Sequence, residues 1–75
     1  MTTATDTRQE LSQLAEQSGW QRREHDRVDV YLRGRYRVHA IWRDSSVLNG
    51  GSHYEDDALL SYTRDLAKLQ GWLAK

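Results

Sequence analysis

Three histidines lie at equal intervals of fourteen residues, at His25, His39 and His53. Imidazole nitrogens are common zinc ligands, and a site with three of them keeps a fourth position open for a catalytic water. The sequence puts these histidines in different settings, because His39 falls in the middle of a predicted strand while His25 lies beside a predicted turn. We therefore expect three separate histidines, with no metal site and no cofactor.

Carboxylates are concentrated at Glu55, Asp56 and Asp57, with Asp44 nearby in the sequence. Such a group could hold Mg²⁺ or provide an acid and a base. The start of a predicted helix explains the same residues, because carboxylates stabilise its positive end. The chain also lacks cysteine and a G-x-S-x-G motif, and the segment 49–52 lacks the lysine of a phosphate-binding loop. We expect a protein that is not an enzyme.

Positive charge is concentrated in the middle of the chain, although the whole sequence has a formal net charge of zero. Residues 20–43 contain seven arginines against three acidic residues, and the segments on either side each have a net charge of −2. Strand alternation places most of these arginines on one sheet face together with Tyr31 and Ile41. Apolar side chains with a polar rim are typical of a protein interface. The predicted interaction surface consists of Tyr31, Arg33, Arg35, Arg37, His39, Ile41 and Arg43.

The element that precedes this surface is a helix over residues 7–18. Thr7 and Glu10 match a capping box, Leu11, Leu14 and Ala15 recur at helical spacing, and Gly19 follows as a stop. From Trp20 the apolar period changes to two, which predicts strands over about 20–25, 28–33, 36–43 and 46–53. The sequence leaves open whether 49–54 is strand or loop. The predicted buried face carries Val28, Val30, Leu32, Tyr36, Val38, Ala40 and Trp42.

A second helix is predicted over about 56–73. Its apolar residues recur at steps of three and four, at Leu59, Tyr62, Leu66, Leu69 and Leu73. The predicted fold is therefore a two-layer α+β domain over residues 7–75, after a frayed segment 1–6. It consists of a helix, an antiparallel meander of three to four strands and a second helix, with both helices on one face of the sheet. The strand order is left open.

The chain has 75 residues, no cysteine and no apolar run long enough to span a bilayer. Without the marks of a signal peptide we expect a cytoplasmic protein with no membrane partner. Nine arginines against two lysines suit a bacterial or phage genome of high G+C content. We expect a small non-catalytic interaction module, either a homodimer or an adaptor or regulatory subunit, whose outer sheet face binds a second copy or an acidic protein. The alternative is a nucleic-acid-binding regulatory factor that uses Arg33, Arg35, Arg37 and Arg43.

Overall fold

A computed structural model of the chain describes residues 7–44 and 47–74. The predicted frayed segment 1–6 and the predicted first residue of the fourth strand, residue 46, lie outside the described residues. The elements are α1 (Thr7–Gln17), β1 (Gln21–His25), β2 (Val28–Arg33), β3 (Tyr36–Asp44), β4 (Val47–Glu55), β5 (Ala58–Thr63) and α2 (Leu66–Ala74). The strands form one antiparallel sheet in the order β1-β2-β3-β4-β5. The α+β class and the meander are confirmed, with five strands instead of three to four, and 49–54 is strand.

Helix α1 ends where the sequence predicts. Gly19 adopts a positive φ of 89°. Its amide donates to the carbonyl of Glu16 at 3.1 Å, and the amide of Trp20 donates to the carbonyl of Ala15 at 2.9 Å. This pair of bonds is the Schellman arrangement, which satisfies the last helical carbonyls and turns the chain into β1.

Three of the hairpins have two-residue turns that lie within the described residues. The flanking pairs are His25 with Val28, Arg33 with Tyr36, and Glu55 with Ala58. Each turn contains at least one residue of positive φ: Asp26, Gly34, or both Asp56 and Asp57. These backbone angles are the ones that tight hairpins require, and glycine and aspartate tolerate them best.

The predicted second helix is wrong over its first half. Asp56 and Asp57 have φ values of 49° and 69° and form the β4–β5 turn, so the segment that follows is strand β5. Helix α2 begins only at Leu66, where the side chain of Asp65 accepts the amide of Ala67 at 3.0 Å. The N-terminal cap is therefore Asp65, and Asp56 and Asp57 of the acidic run form a hairpin turn instead.

The predicted face of β2 is also wrong. Because the β2–β3 turn has two residues, Tyr31 lies directly opposite Val38, and opposed residues point to the same side of a sheet. Tyr31 is fully buried with Val38, Ala40 and Trp42. The side chains expected in the core, Val28, Val30 and Leu32, lie on the other face and are half-buried.

Both helices pack on the face that carries Tyr31, Val38, Ala40 and Trp42. The buried cluster comprises these residues together with Leu11, Ala15, Trp20, Leu69 and Leu73. Helix α2 approaches β4 closely, since a Cβ added at Gly51 would lie 2.8 Å from Cδ1 of Leu69. The opposite side of the sheet, called the open face below, is packed against neither helix.

Candidate interaction surfaces

The open face is mixed apolar and basic. The register pairs Val28 with Ile41 and Val30 with His39 across the two central strands. A sheet face in water usually carries polar side chains, so this aliphatic centre is unusual for a face left uncovered. The open face comprises Gln21, Arg23, His25, Val28, Val30, Leu32, Arg37, His39, Ile41, Gly50, Ser52, Tyr54, Leu59 and Tyr62, none of them acidic.

The seven residues of the predicted interaction surface do not all lie together in the structure. Arg37, His39 and Ile41 lie together on the open face, as predicted. Tyr31 is buried under the helices, which is a correction that follows from the inverted face of β2.

The remaining three predicted residues are also separated. Arg33 lies on the helix side, where its Nη1 donates to the carbonyl of Ser18 at 2.8 Å. Arg35 is exposed in the β2–β3 turn, and Arg43 is exposed near the end of β3, beyond a register shift. The prediction that these arginines share one sheet face is therefore wrong.

The guanidinium of Arg37 is held by contacts with neighbouring side chains. Its Nη1 donates to Oδ1 of Asp57 at 2.7 Å, and its guanidinium lies 4.6 Å from the ring centre of Tyr54. The ring of His39 contacts the same tyrosine at 4.9 Å. Burial, and then the charge of Arg37, lower the pKa of His39. Much of the central basic charge is therefore used within the molecule.

Strand β5 is exposed along its length as far as Thr63. It carries three large apolar side chains, Leu59, Leu60 and Tyr62, which are 59%, 51% and 58% exposed. The ring of Tyr62 lies over Gly50 on the open face, since a Cβ at that glycine would collide with its hydroxyl. Sequence reasoning missed this surface because the same residues fit a helical period, and short apolar runs do not distinguish helix from strand.

A buried carboxylate lies on the other side of the sheet. Asp29 is fully buried and accepts from Nε and Nη2 of Arg8, both at 2.8 Å, and from Arg22 at 3.2 Å. The indole of Trp42 also donates to it at 3.2 Å. Asp29 ties α1 to β1, β2 and β3, and its bond raises the pKa of Arg8. Because its oxygens are occupied, it acts as a structural anchor.

One cleft opens on the helix side, with a volume of about 300 Å³. Its walls are Trp20, Arg33, Tyr36, His53 and Trp72. Tyr36 shares its sheet face with the core but is 36% exposed, because the helices leave this end of the sheet uncovered. From the sequence, Arg33 is predicted on the interaction surface, His53 as an isolated histidine and Tyr36 in the core, so the cleft itself is not predicted.

The three histidines stay apart in their contacts. His39 contacts Tyr54, His53 lies between Tyr36 and Trp72, and His25 is exposed at the end of β1. Within residues 7–44 and 47–74, no three His, Cys, Asp or Glu side chains are grouped so that they could hold a metal ion. In the same part of the chain neither helix is long and apolar enough to cross a membrane.

Comparison of the chain with protein-family models, with curated proteins and with solved structures found no match.

Proposed function

We propose that this protein is a small, non-catalytic interaction module that works as a homodimer joined along β5, and that its open face then binds an acidic partner protein. The observation that carries the proposal is the composition of β5. This edge strand has no charged side chain, and its three large apolar side chains are more than half exposed. An edge of this kind is a template for pairing with another strand.

A second copy is the partner that suits β5 best. An uncharged strand can pair with its own copy antiparallel about a two-fold axis, which is the commonest symmetry of soluble oligomers. Leu59 and Tyr62 lie on the open face, so edge pairing would bring these side chains of two copies together. The product is a ten-stranded sheet whose open face runs through both copies.

Face-to-face packing of two open faces is the less favourable arrangement. It would bring together two faces that each carry Arg23 and Arg37 and no acidic strand residue. Like charges across an interface cost several kcal/mol, roughly, when they are desolvated. The open face suits a different occupant, a protein with an apolar centre and an acidic rim. A cytoplasmic location, as the sequence predicts, is part of this proposal.

The experiment is sedimentation of the wild-type chain and of two lysine variants over a range of concentrations. Leu59→Lys introduces like charges at the proposed dimer contact, whereas Val47→Lys places the same charge on β4, at a residue that is 44% exposed. We expect a wild-type dimer, a dissociation constant raised roughly tenfold or more by Leu59→Lys, and no change with Val47→Lys. Circular dichroism checks that both variants fold. A wild-type chain that stays monomeric at high concentration, or equal effects of the two variants, would overturn the proposal.

Nucleic-acid binding is the second candidate, favoured by basic and aromatic side chains on a face without acidic strand residues. Arg23 is exposed there and makes no ion pair within the described residues, and Tyr62 offers a ring on which a base could stack. The Arg37–Asp57 pair reduces the charge available for phosphates. Fluorescence anisotropy with single- and double-stranded DNA and RNA at low and moderate salt tests it. Binding that weakens with salt and with Arg23→Gln supports this candidate, and no binding at low salt removes it.

A further inference from the structure

The cleft on the helix side is a preformed aromatic site that the proposed dimer does not use. It lies at the end of the sheet where β3 begins and α2 ends, between Tyr36 and Trp72. Its volume of about 300 Å³ is at the small end of ligand pockets, which suits a single ring with one substituent.

The walls of this cleft are held in place by contacts with one another and with the end of α2. The indole of Trp20 donates to the carbonyl of Leu73 at 3.0 Å, and the Arg33 guanidinium lies 4.5 Å from the centre of the Trp20 ring. On the other wall, the ring of His53 lies 5.8 Å from Tyr36 and 5.3 Å from Trp72. A site whose side chains are already ordered loses little entropy when a ligand binds.

Charge decides which class of ligand fits. Aromatic walls alone would suit a cation, but Arg33 lines the same cleft, and none of the described side chains that line it is acidic. One N–H of Arg33 is used by Ser18, which leaves further donors in the planar geometry that matches a carboxylate. The aromatic side chains of the walls favour a planar ligand, because its ring can stack on their faces or contact their edges.

We infer that this cleft binds a planar aromatic acid, with its ring between Trp20, Tyr36 and Trp72 and its carboxylate on Arg33. The inference is independent of the proposed dimer, since it concerns the helix side of the sheet and not β5 or the open face.

The test is a titration of the ¹⁵N-labelled chain with three small probes, followed through the indole N–H signals. Trp20 and Trp72 line the cleft, whereas Trp42 is buried beside Asp29 and serves as an internal control. The probes are benzoate, its uncharged analogue benzamide, and the non-planar cyclohexanecarboxylate. We expect benzoate to bind with a Kd of roughly millimolar. Its affinity should exceed that of each of the other two probes by about two- to fivefold.

Two variants and a matched control assign the contacts. Arg33→Gln should bring benzoate down to the affinity of benzamide, while Arg35→Gln, two residues away in the turn, should change nothing. Trp72→Leu should weaken all three probes, and an unshifted Trp42 signal shows that the core is intact. Benzamide binding as tightly as benzoate, Arg33→Gln leaving that preference unchanged, or no shift at the Trp20 and Trp72 signals would overturn the inference.

Discussion

The two edges of the sheet are built from opposite kinds of residue. Strand β1 reads Gln-Arg-Arg-Glu-His, and its charges either project into solvent or join the pairs around Asp29. Strand β5 reads Ala-Leu-Leu-Ser-Tyr-Thr, without a charge and with its large side chains exposed. Charged residues on an edge discourage strand pairing, whereas an apolar edge invites it. The difference between the edges is that charge protects β1 against pairing with another strand, whereas β5 has no such protection.

The helices are attached differently at the same two ends. Helix α1 is tied to the β1 side by the ion pair between Arg8 and the buried Asp29. Helix α2 is held against β4 by close apolar contact at Gly51 and Leu69. One anchor therefore depends on charge and the other on shape, and substitutions can weaken each one separately.

The largest expected effect is on the charged anchor. Asp29→Asn removes the carboxylate that neutralises Arg8 and Arg22, whose side chains are 15% and 28% exposed. Breaking a buried pair on one side costs about 3–5 kcal/mol, so we expect the free energy of unfolding to fall by about that much in urea denaturation. Glu24→Gln is the control, because Glu24 reaches the same arginine at 3.6 Å from an exposed position and should matter by less than about 1 kcal/mol. Equal losses from the two variants would contradict an anchoring role for Asp29.

The apolar anchor should give a smaller loss. Gly51→Ala places a methyl group 2.8 Å from Leu69 and 3.2 Å from the carbonyl oxygen of His39, so α2 must shift outward. Overpacking of this kind costs about 1–3 kcal/mol. Gly71→Ala is the control, because a Cβ there meets no atom within 4 Å and alanine favours a helix. Thermal unfolding should therefore show a lower Tm for the first variant and an equal or higher Tm for the second. A Gly51→Ala protein as stable as the wild type would mean that α2 is loosely packed.

The two ends of the sheet also differ in how well the sequence predicts their structure. Around α1 and β1 the capping residues, Gly19 and the alternation predicted the elements to within a residue or two. At the β5 end the acidic residues Glu55, Asp56 and Asp57 predict a helix start, although Asp56 and Asp57 adopt the positive φ of a hairpin turn. Because of this error, strand β5 and the exposed side chains of Leu59, Leu60 and Tyr62 are not predicted from the sequence.

The prediction of which side chains of β2 are buried is wrong for a different reason. Val28, Val30 and Leu32 look like core residues by hydropathy, but the two-residue turn after Arg33 sets which side chains lie opposite each other in the hairpin. The buried carboxylate of Asp29 could not be foreseen, since its burial depends on Arg8, twenty-one residues away in the sequence. A turn with an even number of residues places Tyr31 opposite Val38. That turn length was the signal in the sequence from which the burial of Tyr31 could have been predicted.

The smallest expected effect concerns the centre of the open face. The pKa of His39 is lowered by burial and by Arg37, while Tyr54 contacts its ring. His39 therefore binds a proton more firmly in the unfolded chain than in the folded one. The stability that neutral His39 contributes is present above the ordinary pKa of about 6.5 and is lost as the pH falls through the lower pKa of the folded state. His39→Gln should make the fall in Tm between pH 7.5 and pH 5 slightly smaller.

The same histidine reports on how two copies meet. Edge pairing along β5 leaves the open face in solvent, so the NMR titration of His39 should not change with protein concentration. A pKa of His39 that falls further as the protein is concentrated would indicate face-to-face packing and would contradict the proposed arrangement.

The most direct measurement of the difference between the edges is amide hydrogen exchange by NMR at low and high protein concentration. In an edge strand, alternate amides point away from the sheet and exchange readily unless another strand pairs with them. We expect the protection of the outward amides of β5 to rise with concentration, while the outward amides of β1 exchange at the same rate throughout. Protection that rises in β1, or a dimer that forms with the β5 amides still exchanging freely, would contradict it.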